Sequence, residues 1–272
     1  MPRGNEGEPG EPRGFAFFHA AASRLADKSL RLREGVLLIA AEDGSGRLVD
    51  LDGEVSALST TGMMMLEGAL HGGPDEASQA LAKTFRAEVG QIRGDMAALL
   101  AALECRRLLA TPRDGRLKVP SLAGVVCWLV APFLSLCACA PGRLLRTKAW
   151  ILLTLAFLSM RLFGWPNTVR VWRHATPRRE DRRFDHSDGK LLDTIEAVVT
   201  GTISSHPCAV SCKERALCCH ALARAAGAPS KIVLGVDLVP FAMHCWCECG
   251  SRILADRYDG NCDRFTPVVA YS

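Results

Sequence analysis

The sequence predicts an α+β protein of two folded modules joined by an apolar helical stretch, and three observations lead there. Helical and strand periodicities both occur, with helices ahead of strands in the final third. Charge divides unevenly along the chain. The hydrophobic share, 49% of 272 residues, is ample for folded cores.

The net charge of +4 hides the division. Between Glu34 and Glu104 acidic residues outnumber basic ones by about three to one, with Glu42, Asp43, Asp50, Asp52, Glu54 and Glu67 against Arg47, Lys83, Arg86 and Arg93. From Arg106 to Arg183 the balance reverses through Arg143, Arg146, Lys148, Arg170, Arg173, Arg178, Arg179, Arg182 and Arg183. Such asymmetry suits separate modules with different partners.

Residues 1–33 read as a solvated tail. Met1 to Arg13 is rich in Gly, Pro, Glu and Arg and holds no apolar core of a signal peptide. A cytoplasmic location is therefore expected, and the twelve cysteines are expected as reduced thiols rather than a disulfide framework.

Residues 34–112 form the first module. Strands at 35–41 and 47–51 flank the turn Glu42-Asp43-Gly44-Ser45-Gly46 as a hairpin. Helices follow at about 55–70 and 75–85, and a third carries Val89, Ile92, Met96, Leu99, Leu100 and Leu103 at helical period. A hairpin with three helices describes a winged-helix-like domain. Such a domain most often binds DNA, but nucleic acid requires a basic face, and this module is acidic. Nucleic acid is excluded as a partner. Met63 to Met65 read as core filling.

Residues 113–185 hold two apolar runs, 122–140 and 149–164, separated by Pro141-Gly142-Arg143. Each approaches the length that crosses a bilayer, although Pro132 would kink the first and Arg161 interrupts the second. A buried or interfacial helical hairpin is preferred to a spanning pair. The basic flanks suit an anionic membrane surface, so membrane association through 122–164 is an expectation.

Residues 186–272 form the second module. Leu191, Leu192, Ile195, Val198, Val199 and Ile203 make an amphipathic helix that His206-Pro207 ends. A helix over 211–226 stops at Gly227 with Pro229 beyond, and strands follow at 230–238, 241–249 and 252–256. Ser211-Cys212-Lys213-Glu214 fits a capping box, which sets Cys212 at the first helical position. Unpaired amides and the positive dipole end favour a thiolate there, the reactive form of a cysteine nucleophile. Alternation along 241–249 puts Ala242, His244, Trp246 and Glu248 on one strand face and Met243, Cys245, Cys247 and Cys249 on the other. With the helix packed on the first face, His244 would point at Cys212 as general base. Asp256 would return on the next strand to accept the second imidazole N–H.

The stretch from Cys212 to Asp256 resembles the transglutaminase-like, papain-like cysteine peptidase of lasso-peptide B proteins. The resemblance rests on Cys212-x-x-Arg215, Gly227, Leu234-Gly235-Val236, Pro240-Phe241, His244-x-Trp246-x-Glu248 and Asp256. It implies a Cys212, His244, Asp256 triad that cuts a leader from a ribosomal precursor peptide. Cysteines at 245, 247 and 249 depart from the small or apolar residues expected there. The hairpin with Asp50-Leu51-Asp52-Gly53 and the helix carrying Asp95 resemble the PqqD-like precursor-recognition element. That resemblance implies a leader peptide bound by residues 34–110 as an added strand, and a cyclase partner of amidotransferase type.

His220, His244, Cys245, Cys247, Cys249 and Cys262 raise a zinc site, but single-residue spacing along one strand is not the usual ligand pattern. No metal and no cofactor is expected in this chain. No Gly-rich phosphate loop followed by Lys-Ser or Lys-Thr occurs, so the ATP dependence associated with the family is assigned to a partner. A transglutaminase-type acyl transferase would use the same triad with an amine acceptor. A leader-binding escort without catalysis is the non-enzyme alternative, and an intact triad argues against it.

Overall fold

The computed structural model describes residues 30–110, 144–175, 189–238, 240–254 and 262–272. The chain divides into two compact units, Met1–Ala110 and Thr111–Ser272.

In the first unit β1 (Val36–Ala40), β2 (Gly46–Asp50) and β3 (Val55–Leu58) form an antiparallel sheet in the order β1-β2-β3. The hairpin turn closes through the Ser45 amide, which donates to Asp43 Oδ1 at 2.8 Å. β3 corrects the helix expected from residue 55. Its residues alternate between exposed and buried, and the helix begins only after Ser59, whose Oγ accepts the Gly62 amide at 3.1 Å. Helices α1 (Thr60–Gly72), α2 (Pro74–Phe85) and α3 (Val89–Cys105) follow. Leu48, Met63, Leu66 and Leu103 share one apolar cluster, and Met65, Leu81, Ile92 and Met96 another. Met63 and Met65 are thus core residues, as expected. Val89, expected on the buried stripe of α3, is 38% exposed. The unit also starts earlier than residue 34, because Leu32 bridges Leu109 and the Arg33 amide donates to the Leu108 carbonyl at 2.9 Å.

The second unit begins, among the described residues, with α4 (Leu145–Ala175). Gly164 bends it at φ 70°, ψ 175°, a conformation open to glycine, and Pro166 opens the second half without an N–H to lose. Ala149, Leu152, Leu153 and Ala156 are 0% exposed where α4 packs on α5 (Gly189–Ile203) and α6 (Cys212–Ala225). The expected middle module is corrected here: the apolar run over 149–164 is a core helix of the second unit on one of its faces. The run over 122–140 lies outside the described residues.

Four antiparallel strands complete the unit in the order β6-β5-β4-β7, from β4 (Ser230–Leu238), β5 (Phe241–Cys249), β6 (Arg252–Leu254) and β7 (Thr266–Tyr271). β7 was not expected from the sequence. It pairs with the edge of β4 that β5 leaves open, with a register shift between Leu234 and Gly235. Helix α6 lies over β4 and β5. Cross-ties hold helices to strands: Trp165 Nε1 donates to the Tyr271 hydroxyl at 3.3 Å, and Arg252 reaches the Gly189 carbonyl at 3.0 Å and the Asp193 carboxylate.

Candidate active site

Cys212 is the first residue of α6 and is half-buried. Ser211 caps the helix in extended backbone at φ −90°, ψ 177°. Its Oγ accepts the Lys213 amide at 3.3 Å, and Glu214 accepts the Ser211 amide at 2.9 Å and the Ser211 hydroxyl. The expected capping box is present, and Glu214 is buried at 5% exposure to complete it. Lys213 Nζ lies 5.4 Å from the centroid of the buried Trp165 ring, which holds a cation beside the helix start. Sequence spacing does not place Lys213 against Trp165. A basic residue following the cysteine was the available signal.

Strand β5 presents its cysteine row to α6, not its histidine row. Burial, and next the thiol of Cys212, push the Cys245 thiol well up. A hydrogen bond shared with its neighbour Cys249, at 3.9 Å between sulfurs, together with burial raises Cys247, which also feels Cys219 of α6. Burial and the nearby Glu196 raise Cys219 in turn. Cys245 and Cys247 are therefore neutral, and with the buried Cys249 they are small packing groups in the helix–sheet interface. The expectation that α6 covers the face of His244 is corrected on this point. Alternation shows which residues share a face but not which face meets the helix.

His244 is 5% exposed and belongs to the other row. Its ring stacks on Trp246 with centroids 6.0 Å apart and planes 22° apart, and it lies 5.3 Å from Phe265 at 36°. Trp246 is pinned in turn, since its Nε1 donates to Glu248 Oε1 at 2.9 Å and Lys231 Nζ holds Glu248 Oε2 at 2.6 Å. Gly235, paired with His244 across the strands, leaves room for this. A Cβ there would sit 2.6 Å from Trp246 Cη2 and 2.9 Å from Phe265 Cβ. Phe265 was missed with β7, and the glycine inside an apolar strand was the available signal of a close approach.

Strand β5 passes the start of α6 near Cys245, the residue whose thiol responds to Cys212, and His244 is its chain neighbour. Asp256 lies outside the described residues, two positions beyond the end of β6 at Leu254.

The six residues weighed as zinc ligands fall in different surroundings. His220 is fully buried in α6, where its Nδ1 lies 3.0 Å from Ser230 Oγ. Burial, then Arg224 and Arg173, lower its pKa to about 3, so the ring is neutral. Cys245, Cys247 and Cys249 face α6, while Cys262 joins the Val233 and Trp246 cluster. Among the described residues no group of three His, Cys, Asp or Glu side chains is placed to hold a metal ion.

A capped helix that presents a half-buried cysteine over an antiparallel sheet is an arrangement for thiol chemistry. The family model of the transglutaminase-like superfamily matches residues 152–270, from the first half of α4 to the last strand. No curated protein and no solved structure gives a match alongside it. The match fits a peptidase or an acyl transferase. The C-terminal part of this chain is a transglutaminase-like domain.

Proposed function

We propose that this chain is a leader peptidase of lasso-peptide maturation, whose second unit hydrolyses the bond between leader and core of a ribosomal precursor. Cys212 attacks the scissile carbonyl, His244 takes the thiol proton and returns it to the leaving amine, and Asp256 orients His244. The observation that carries this reading is the capping box at Ser211. It sets one thiol of twelve at a helix start, where negative charge is favoured and backbone amides are available to the oxyanion. The aromatic packing around His244 supports the base assignment, because a general base must hold one orientation.

The first unit serves on this reading as the leader receptor. Its sheet leaves β1 and β3 as edges. Where β2 ends and β3 begins, the Asp50 amide donates to the Glu54 carbonyl at 2.8 Å, which makes that pair a hydrogen-bonded one. Alternation then turns the polar backbone of Val55 and Ala57 outward, where an extended leader would add a strand. Any ATP requirement and the ring-closing step belong to an amidotransferase-type partner.

The test is incubation of purified protein with its precursor. Cleavage abolished in Cys212→Ala with leader affinity retained is the expected result. Normal cleavage by Cys212→Ala would remove the nucleophile assignment. Product bearing an added amine, with no free carboxylate, would favour acyl transfer instead.

A further inference from the structure

The first half of α4 shows the solvent a face that its role in the core does not use. Leu144, Trp150, Leu158 and Leu162 are 63%, 42%, 47% and 70% exposed. At 3.6 residues per turn, Leu144, Ile151, Leu155, Leu158 and Leu162 fall within an arc of about 60°. The fully buried Ala149, Leu152, Leu153 and Ala156 point the other way. Leu144, Leu158 and Leu162 stand exposed in this row with Ile151 and Leu155 half-buried between them, more than the scattered apolar residues that any surface carries.

Charge identifies what the face fits. Leu145–Ala175 holds no acidic residue. The exposed Arg161 flanks the aliphatic row on one side, with the half-buried Lys148 on the other. Arg161 stands over the Phe157 ring at 5.1 Å, so its stem runs along apolar surface with the charge at the rim. An aliphatic row with cations along both margins matches acyl chains beneath anionic headgroups.

We propose that the outer face of the first half of α4 is a docking surface for an anionic lipid bilayer, on which the helix lies flat with the leucine row inserted. The opposite face is the core of the transglutaminase-like domain. Crossing the bilayer would strip α5 and α6 from it, so the attachment is lateral. The surface is independent of the Cys212 chemistry, and it would hold the domain at the membrane without a spanning segment.

The test is flotation of the full chain with phosphatidylcholine vesicles and with vesicles of mixed phosphatidylcholine and phosphatidylglycerol. Binding to the mixed vesicles alone, released by high salt, is expected. Leu158→Glu/Leu162→Glu should lower partitioning about tenfold or more, and Arg161→Glu should weaken the preference for anionic lipid. Leu158, Arg161 and Leu162 are all exposed, so the thermal midpoint and precursor cleavage should stay at wild-type values. Equal binding to neutral vesicles overturns the proposal. So does undiminished binding by the leucine variant, which would assign attachment to the apolar residues 122–140. Absence of vesicle binding, with the leucine variant turning an oligomer into a monomer, would make the face a contact between copies and also overturn it.

Discussion

Among the described residues, the first unit closes around aliphatic side chains and methionines, and its buried polar residues are Asp50, Ser56 and Ser78. The second buries Glu196, Glu214, His220 and His244, with Cys218, Cys219, Cys245, Cys247, Cys249 and Cys262. Burying an ionisable group is expensive unless its partners or its neutral form relieve the charge. On the proposed reading, a unit that only offers a sheet edge to a peptide has no reason to bear that cost. A unit that must keep a thiol and an imidazole out of bulk water does.

The largest expected consequence of this contrast is a difference in acid stability. His220 titrates near 6.5 when unfolded and at about 3 in the folded second unit. Between those values the unfolded chain binds the extra proton. Stability is therefore complete above about pH 6.5 and is lost as pH falls toward 3, by on the order of a few kcal/mol. All five tryptophans lie beyond residue 110, so their fluorescence in urea titrations reports the second unit alone. His220→Gln should flatten its pH dependence between 6.5 and 4. An unchanged profile would take His220 out of the account.

A smaller effect separates two glycines. Gly235→Ala should destabilise the second unit by about 1–3 kcal/mol, because the added carbon meets the Trp246 ring and the Phe265 Cβ. Gly94→Ala, on an exposed face of α3 with nothing within 4 Å, should stabilise the first unit by about 0.5–1 kcal/mol. Paired chemical denaturation would read both, and the same sign at both sites would erase the contrast.

At the free edge of β3, Ala57→Pro removes an outward N–H without touching the ladder to β2. Leader affinity should fall about tenfold, near 1.4 kcal/mol, with the unit still folded by circular dichroism. Unaltered affinity in fluorescence anisotropy would move the leader off this edge. An effect of similar size concerns the cap: Ser211→Ala should cost about 1 kcal/mol of second-unit stability, and a loss below a few tenths would mean the box contributes little.

Features set by neighbouring residues were legible beforehand. The hairpin around Asp43, the cap at Ser211 and the helix stop at Gly227 each depend on a few consecutive side chains. β3 escaped because Val55 to Leu58 is a short apolar run directly before a helix, where strand and helix patterns coincide. β7 escaped because its place comes from the open edge of β4 rather than from its own six residues. Phe265 beside His244 was hidden with it.

Sequence alone determined that Cys212 opens a helix, that His244 and Trp246 share a strand face, and that 149–164 is an apolar helix. Each follows from a local periodicity or a hydrogen bond spanning three residues. Tertiary structure alone decided that the cysteine row of β5 meets α6, that Trp246 and Phe265 enclose His244, and that α4 has one face in a core and one in solvent. Those outcomes depend on which surfaces meet. Periodicity is blind to that, because either row of a strand, or either side of an apolar helix, satisfies the same pattern.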